Sequence, residues 1–289
     1  MGKKNLQMRE DYEEIRKHII QEAVKYLSGR GKNINTLVLG LSGGIDSALS
    51  AVLAREVAIK TEHPVVLRGY SLPIETNEEE AVRAERVAQS VCGAFTLMNL
   101  SAPWAEALSM LDPELYQKIV DMNPTLTVGE KIRAGNMKAR IRMMYLYNEA
   151  SKHQGMVLST DNLTEYFLGF WTLHGDVGDF GLIQNLWKTE VYGLAEHMSK
   201  DYPILEESVL AKPTDGLGIS DSDIAQILPE WRPSMGTYRE AYAYVDKVLL
   251  DYVAGPKTYS PGHPVVRRHL DTMFKRRNPY NIKRIGAEV

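Results

Sequence analysis

The octapeptide Gly40-Leu41-Ser42-Gly43-Gly44-Ile45-Asp46-Ser47 stands between an apolar run, Thr36 to Leu41, and a stretch from Ala48 to Ile59. In that stretch Leu49, Val52, Leu53 and Val57 recur at helical spacing. Strand, tight glycine loop and helix is the reading, since glycine lets the backbone turn sharply and approach a ligand closely. The free N–H groups of the helix start then form an anion site. Phosphate binding by Gly40, Ser42, Gly43, Gly44 and Ser47 follows. Neither the Walker A lysine nor the dinucleotide pattern G-x-G-x-x-G is present, so a conventional P-loop ATPase and a Rossmann dehydrogenase both lack support. Asp46 adds information, because a carboxylate beside phosphates is repulsive unless a cation such as Mg²⁺ lies between them. The alternative on residue types alone is a plain glycine turn, with Ser47 as an N-cap and Asp46 favouring the helix dipole.

Around this loop the pattern alternates. Tyr12 to Leu27 places Tyr12, Ile15, Ile19, Ala23 and Leu27 on one face and stops at Ser28-Gly29, as an amphipathic helix does. Pro64 to Leu72 offers a second strand, Thr76 with Glu79 a capping box for a helix that ends at Gly93, and Phe95 to Leu100 a third strand. Thr127 with Glu130 caps another helix, Met156 to Leu158 is a fourth strand, and Thr164 to Phe170 is helical. After a loop at Gly175 to Gly181, Thr189 is expected to cap a helix reaching Ser199. Residues 203–233 read as a mobile loop region with a short helix near Asp221, and Tyr238 to Val253 as the last amphipathic helix. Strands and helices in alternation predict an α/β fold: a doubly wound, mostly parallel sheet with helices on both faces, in a single catalytic domain over 1–289.

Composition narrows the class. At 44% hydrophobic and 25% charged, the 289 residues match an ordinary globular chain rather than a disordered or fibrous one. No run of about eighteen uncharged apolar residues occurs, and Met1 to Glu10 lacks an apolar core, which argues against membrane spanning and secretion. Cys92 is the one cysteine, it lies in an apolar helical pattern, and it fits a core role in a reduced, cytoplasmic setting. Net charge is -3, but the tail at 263–289 carries +5 and the remainder -8. Such a tail could bind RNA, pack on a partner, fold over a phosphate-bearing ligand, or be a solvated face.

Ser-Gly-Gly-x-Asp-Ser after a first strand resembles the PP-loop of ATP pyrophosphatases, enzymes that cleave ATP between its α- and β-phosphates to adenylate a substrate. The resemblance implies their adenine nucleotide alpha hydrolase-like, Rossmann-like fold. Several families share the loop, and further stretches choose among them. Gly135-Asn136-Met137-Lys138-Ala139-Arg140-Ile141-Arg142-Met143 is similar to a helix of the ammonia-dependent NAD synthetase family, which implies that Arg140 contacts a dinucleotide substrate. Ser159-Thr160-Asp161-Asn162-Leu163-Thr164-Glu165, with Gly169 to Asp176, resembles that family's next block. By the resemblance Glu165 joins Asp46 as a metal carboxylate, Thr160 contacts ATP, and Asp176 and Asp179 lie near the reacting centre. Leu186-Trp187-Lys188-Thr189 matches the family's γ-phosphate lysine, and Lys212-Pro213-Thr214 the entry to its second loop. Lys275-Arg276-Arg277 looks like its C-terminal His-Lys-Arg, so Lys275 is expected at the substrate. The chain departs from the pattern at Ser71, where the family has Arg, at Leu173, where it has Lys, and at Phe274, where it has His. The loop after Thr214 is also short.

The resemblance implies ATP-dependent amidation of deamido-NAD by ammonia through an adenylate, with Mg²⁺ on Asp46 and Glu165. Asp46, Asp176, Lys188 and Lys275 are then the catalytic candidates, in a homodimer whose partners are small molecules rather than nucleic acid or membrane. A divergent enzyme that adenylates another carboxylate or a tRNA base, and a nucleotide-binding homologue with weak turnover, are the rival readings. Glutamine-using synthetases need a second nucleophilic site, and neither Cys92 nor the segment before residue 42 supplies one, so free ammonia is the expected nitrogen source.

Overall fold

Alternate side chains of the first strand enter two different cores. Leu37 and Leu39 pack into one cluster and Val38 into another, as the two-residue period of a strand covered on both faces requires. The computed structural model describes residues 6–75, 77–122, 126–214, 219 and 222–276.

In chain order the first elements are α1 (Tyr12–Ser28), β1 (Thr36–Gly40), α2 (Ile45–Lys60), β2 (Val66–Ser71), α3 (Glu78–Val91) and β3 (Ala94–Leu97). Next come α4 (Ser101–Leu111), α5 (Pro113–Val120), α6 (Val128–Lys152), β4 (Gly155–Ser159), α7 (Leu163–Leu168) and β5 (Phe180–Gly181). The chain continues through α8 (Lys188–Met198), α9 (Leu205–Leu210), α10 (Asp223–Ile227), α11 (Tyr238–Ala254), α12 (Pro264–Asp271) and α13 (Met273–Arg276). All four strand pairings are parallel, and the sheet order is β3-β2-β1-β4-β5. The larger core joins α1, α2, α3, α8 and α11 on one face, and the smaller one lies beneath α4, α5 and α6 on the other. The expected doubly wound sheet is therefore present, and it is parallel throughout. Its order reverses between β1 and β4, which opens a crevice at the carboxyl ends of those strands.

Several local expectations are corrected. Thr189 does not cap α8. The helix starts one residue earlier, the Glu190 carboxylate accepts the Trp187 N–H at 2.8 Å, and the Thr189 hydroxyl is engaged by Asp246. Helix α3 is capped by Asn77, whose side chain accepts from the Glu79 N–H at 2.9 Å; Thr76 lies outside the described residues. On α1 the deeply buried residue is Ile20 rather than Ile19. In region 203–233 the short helix expected near Asp221 is α10, but a second helix, α9, stands beside it in place of loop, and the two bury Leu205, Ser208, Ile224 and Ile227. Asp215 to Gly218 and Asp221 lie outside the described residues, as do Arg277 and the tail after it.

Candidate active site

Gly43 takes φ of 79°, and a Cβ there would sit 2.4 Å from the Glu80 carbonyl oxygen, so this turn admits only glycine. The turn is tied down by its neighbours. The Gly43 carbonyl accepts from Arg83 Nε at 3.2 Å and from the Ser208 hydroxyl at 3.4 Å. Helix α2 begins after Gly44 with no side chain capping its first N–H groups. Ser47 is thus not the N-cap: its hydroxyl donates back to the Gly44 carbonyl at 3.0 Å and lies 3.2 Å from the Ser42 hydroxyl. An uncapped helix start behind a hydroxyl-lined glycine turn is a ready anion site.

The loop opens into a cavity of about 870 Å³ whose walls include Gly40, Ser42, Gly44, Asp46 and Thr160. Three charged side chains meet at its floor. The Lys188 ammonium, 3% exposed, contacts Asp46 closely and Glu165 Oε1 at 3.1 Å, while Asn162 Nδ2 donates to Asp46 Oδ1 at 2.9 Å. Each reaches the floor from a different element: Asp46 from the first turn of α2, Glu165 from the N3 position of α7, and Lys188 from the first residue of α8. Burial alone would lower the Lys188 pKa, but the two carboxylates outweigh it and hold it well above the usual range. Glu165 is pushed up by burial first, with the Asp46 charge adding to that and Lys188 opposing it. Two carboxylates share one ammonium in a desolvated place, so either a proton on Glu165 or a further cation balances the charge.

Among the described residues no group of three or more His, Cys, Asp or Glu could hold a metal unaided. A carboxylate pair still fits Mg²⁺, which usually keeps water and substrate phosphate oxygens among its ligands. Asp46 and Glu165 are the residues that would hold it.

Deeper polar support comes from Asp246, fully buried on α11. It accepts from the Thr164 hydroxyl, from the Thr189 hydroxyl at 2.6 Å and from the Thr189 N–H at 2.9 Å. Thr164 Oγ1 in turn accepts the Lys188 N–H at 2.7 Å, so Asp246 fixes the backbone from which Lys188 projects. Sequence reasoning missed both Asp246 and Asn162. Asp246 carried a signal, an acid one turn after Tyr242 on the apolar face of α11, and Asn162 lay unremarked inside the Thr160–Glu165 block.

Asp176 also lines the cavity; it accepts the Thr172 N–H at 2.8 Å, and its pKa is pushed up to about 7, by burial first and then by the Asp161 charge. Thr160, Lys212 and Thr214 lie on the walls, with the Thr214 hydroxyl donating to Glu80 Oε1 at 3.0 Å. Three expected residues stand away from that lining. Arg140 is exposed and donates to the Leu173 carbonyl at 3.1 Å. Asp179 accepts from the Tyr147 hydroxyl at 2.8 Å and from the Val157 N–H at 3.4 Å. Lys275 donates to the Gly169 carbonyl at 2.7 Å and to that of Trp171, while its charge reaches Asp176. The start of the basic tail is not a solvated face. Arg268 lies 3.7 Å over the Phe170 ring, and Arg276 donates to the Phe167 carbonyl at 2.8 Å.

A family model described as NAD synthase matches residues 16–232. An NH3-dependent NAD synthetase of Campylobacter jejuni is 34% identical over 210 residues, covering 72% of this chain and 74% of its own. A protein of the same name from Thermoplasma acidophilum is 30% identical over 259 residues, covering 88% and 92%. Among solved structures, an NMN synthetase from Francisella tularensis superposes with a TM-score of 0.65 at 25% identity, over 93% of this chain and 98% of its own.

Proposed function

Because the chain belongs to the NAD synthase family, we propose that it is a carbon–nitrogen ligase that converts deamido-NAD to NAD with ATP and ammonia. The observation that carries this reading is the meeting of Asp46, Glu165 and Lys188 at the floor of the cavity into which the phosphate loop opens. In the first step a carboxylate oxygen of the substrate attacks the α-phosphorus of ATP; the bond to the β-phosphate oxygen breaks and pyrophosphate leaves. In the second, ammonia attacks the acyl carbon, AMP departs with the electron pair, and one proton is released.

Each side chain has a task in this scheme. The loop N–H groups and the Ser42 and Ser47 hydroxyls cradle the leaving pyrophosphate. Lys188, locked by Asp246 through Thr164, offers fixed positive charge where negative charge grows. Mg²⁺ held by Asp46 and Glu165 would neutralise part of the polyphosphate charge. Asp176 orients ammonia and accepts its proton, which needs the carboxylate form. Lys275 stays near Asp176, and Arg140, outside the cavity lining, contacts the far part of the dinucleotide.

A second reading keeps the chemistry and changes the substrate. Likeness to an NMN synthetase over almost its whole length favours a mononucleotide carrying the same carboxylate. Incubation with ATP, ammonium and either deamido-NAD or nicotinic acid mononucleotide separates the two. Equal amounts of NAD and AMP, formed faster from the dinucleotide, are expected; preference for the mononucleotide selects the second reading, and no amide from either refutes both. Glutamine should not replace ammonium, because Cys92 packs against the larger core and burial pushes its thiol up to about 11.

A homodimer and a cytoplasmic location complete the proposal. Met110 and Leu111 of α4, Val120 of α5, Met122 just after it and Met144 of α6 are exposed apolar side chains that a second copy would cover. Light scattering should give the mass of two chains; a single-chain mass at working concentration would refute the dimer.

A further inference from the structure

Of the five cations that line the cavity, Lys138 and Lys188 have carboxylate partners, Arg83 is tied to the Gly43 carbonyl, and Lys212 lies on the wall beside Thr214. Lys188 is held by Asp46 and Glu165, and Lys138 by Glu75 at 2.7 Å. Arg142 is placed differently. It lines the same cavity, half-buried on α6, and its Nε donates to the Leu72 carbonyl at 2.9 Å. Among the described residues it forms no ion pair, and the carboxylate whose charge reaches it is that of Glu80 on the opposite wall. Among the described residues no hydrogen bond reaches its two terminal nitrogens, they are not wholly sealed from solvent, and the residue lines the cavity. Burial lowers its pKa, yet a guanidinium stays charged at any ordinary pH. A partly desolvated planar cation with free donors is a place for an anion, and phosphate oxygens match its fork.

Its position says which phosphate. Helix α6 packs on β1 and β4, and Leu146 lies 3.1 Å from where a Cβ on Gly40 would be. Arg142 is one turn nearer the helix N-terminus than Leu146, which puts it over the mouth of the crevice. There it stands between the phosphate loop and the wall made by Leu72, Pro73 and Ile74. With the β- and γ-phosphates on the loop and the Lys188 floor, the space left for a nucleoside runs along the apolar wall, and the α-phosphate would lie between them. Ser71, at the end of β2 on this wall, brings no charge.

We propose that Arg142 is the α-phosphate contact of this site, holding the non-bridging oxygens of the reacting phosphorus in ATP and afterwards those of the acyl adenylate and AMP. This rests on the ATP-using reading above. During attack by the substrate carboxylate the Pα–O–Pβ bond breaks and its electron pair leaves with pyrophosphate. Arg142 remains with the adenylate, while the loop loses its ligand.

Calorimetric titration of the full chain with ATP and with AMP, for the unaltered protein, Arg142→Lys and Arg142→Met, tests the assignment, together with inhibition by pyrophosphate. Arg142→Lys retains charge and stem but loses the fork. Both variants should bind ATP and AMP about 10- to 100-fold more weakly, the range expected for hydrogen bonds to a charged group. Pyrophosphate inhibition should stay within about twofold. Thermal melting checks the fold, and Arg142→Lys decides the matter if Arg142→Met unfolds. Unchanged ATP and AMP affinity in Arg142→Lys would overturn the assignment alone, as would pyrophosphate weakening by the same factor as AMP. Failure of the unaltered chain to bind ATP would overturn the ATP reading and the assignment with it.

Discussion

Asp46 and Glu165 share one buried ammonium, although 119 positions separate them in the chain. Asp46→Asn and Glu165→Gln each remove one charge at nearly constant volume, so the fold should survive while turnover falls. The loss of a fixed electrostatic contact of this kind costs on the order of 10² to 10³ in rate. AMP formation near the unaltered rate in either variant would refute its role as a metal carboxylate. Asp176 allows a test by pH. Its folded pKa is raised to about 7, so the carboxylate form proposed to accept a proton from ammonia declines as pH falls through that value. At constant free ammonia the amidation rate should fall as pH drops through about 7, and Asp176→Asn, which can still accept the Thr172 N–H, should be slow with that limb flattened. A limb unchanged in Asp176→Asn would assign it to another group.

At the scale of single elements, α6 is the beam that carries Lys138, Arg142 and Leu146, and its start is fixed by a capping box in which Thr127 and Glu130 satisfy each other's backbone N–H groups. Thr127→Ala should lower unfolding free energy by about 1 kcal/mol in urea titration. Activity at 25 °C should persist, because the cap lies several turns from Arg142. A variant as stable as the parent would show that packing, not the cap, fixes this end. That cap was legible because Thr and Glu three residues apart preceded an apolar helical pattern. Thr189 with its neighbours was misread for a physical reason: a buried Asp from α11 takes its hydroxyl, and no local pattern announces a partner 57 residues away. Helices α4 and α5 escaped notice because Pro103 and Pro113 punctuate the run, yet proline is tolerated within a first helical turn, where its missing N–H would have no partner.

For the whole molecule, strand and helix alternation was enough to anticipate the doubly wound sheet, and the glycine loop was placed correctly between β1 and α2. Asp46, Glu165 and Lys188, each singled out in the sequence, come together at the cavity floor, and the roles proposed for the two carboxylates rest on the variants above. What holds the floor in place was not legible, because Asn162 and Asp246 act through contacts that only the folded chain creates. The basic tail shows the same limit: Arg268, Lys275 and Arg276 turn inward onto an aromatic ring and the backbone around α7. The proposed function requires that this cavity cleave ATP between its α- and β-phosphates to activate a carboxylate. Exchange of labelled pyrophosphate into ATP, measured without ammonium, tests it directly. Exchange should require the carboxylate substrate, yield AMP rather than ADP on quenching, and fall by at least about 10² in Asp46→Asn; formation of ADP and phosphate, or exchange undiminished in that variant, would contradict it.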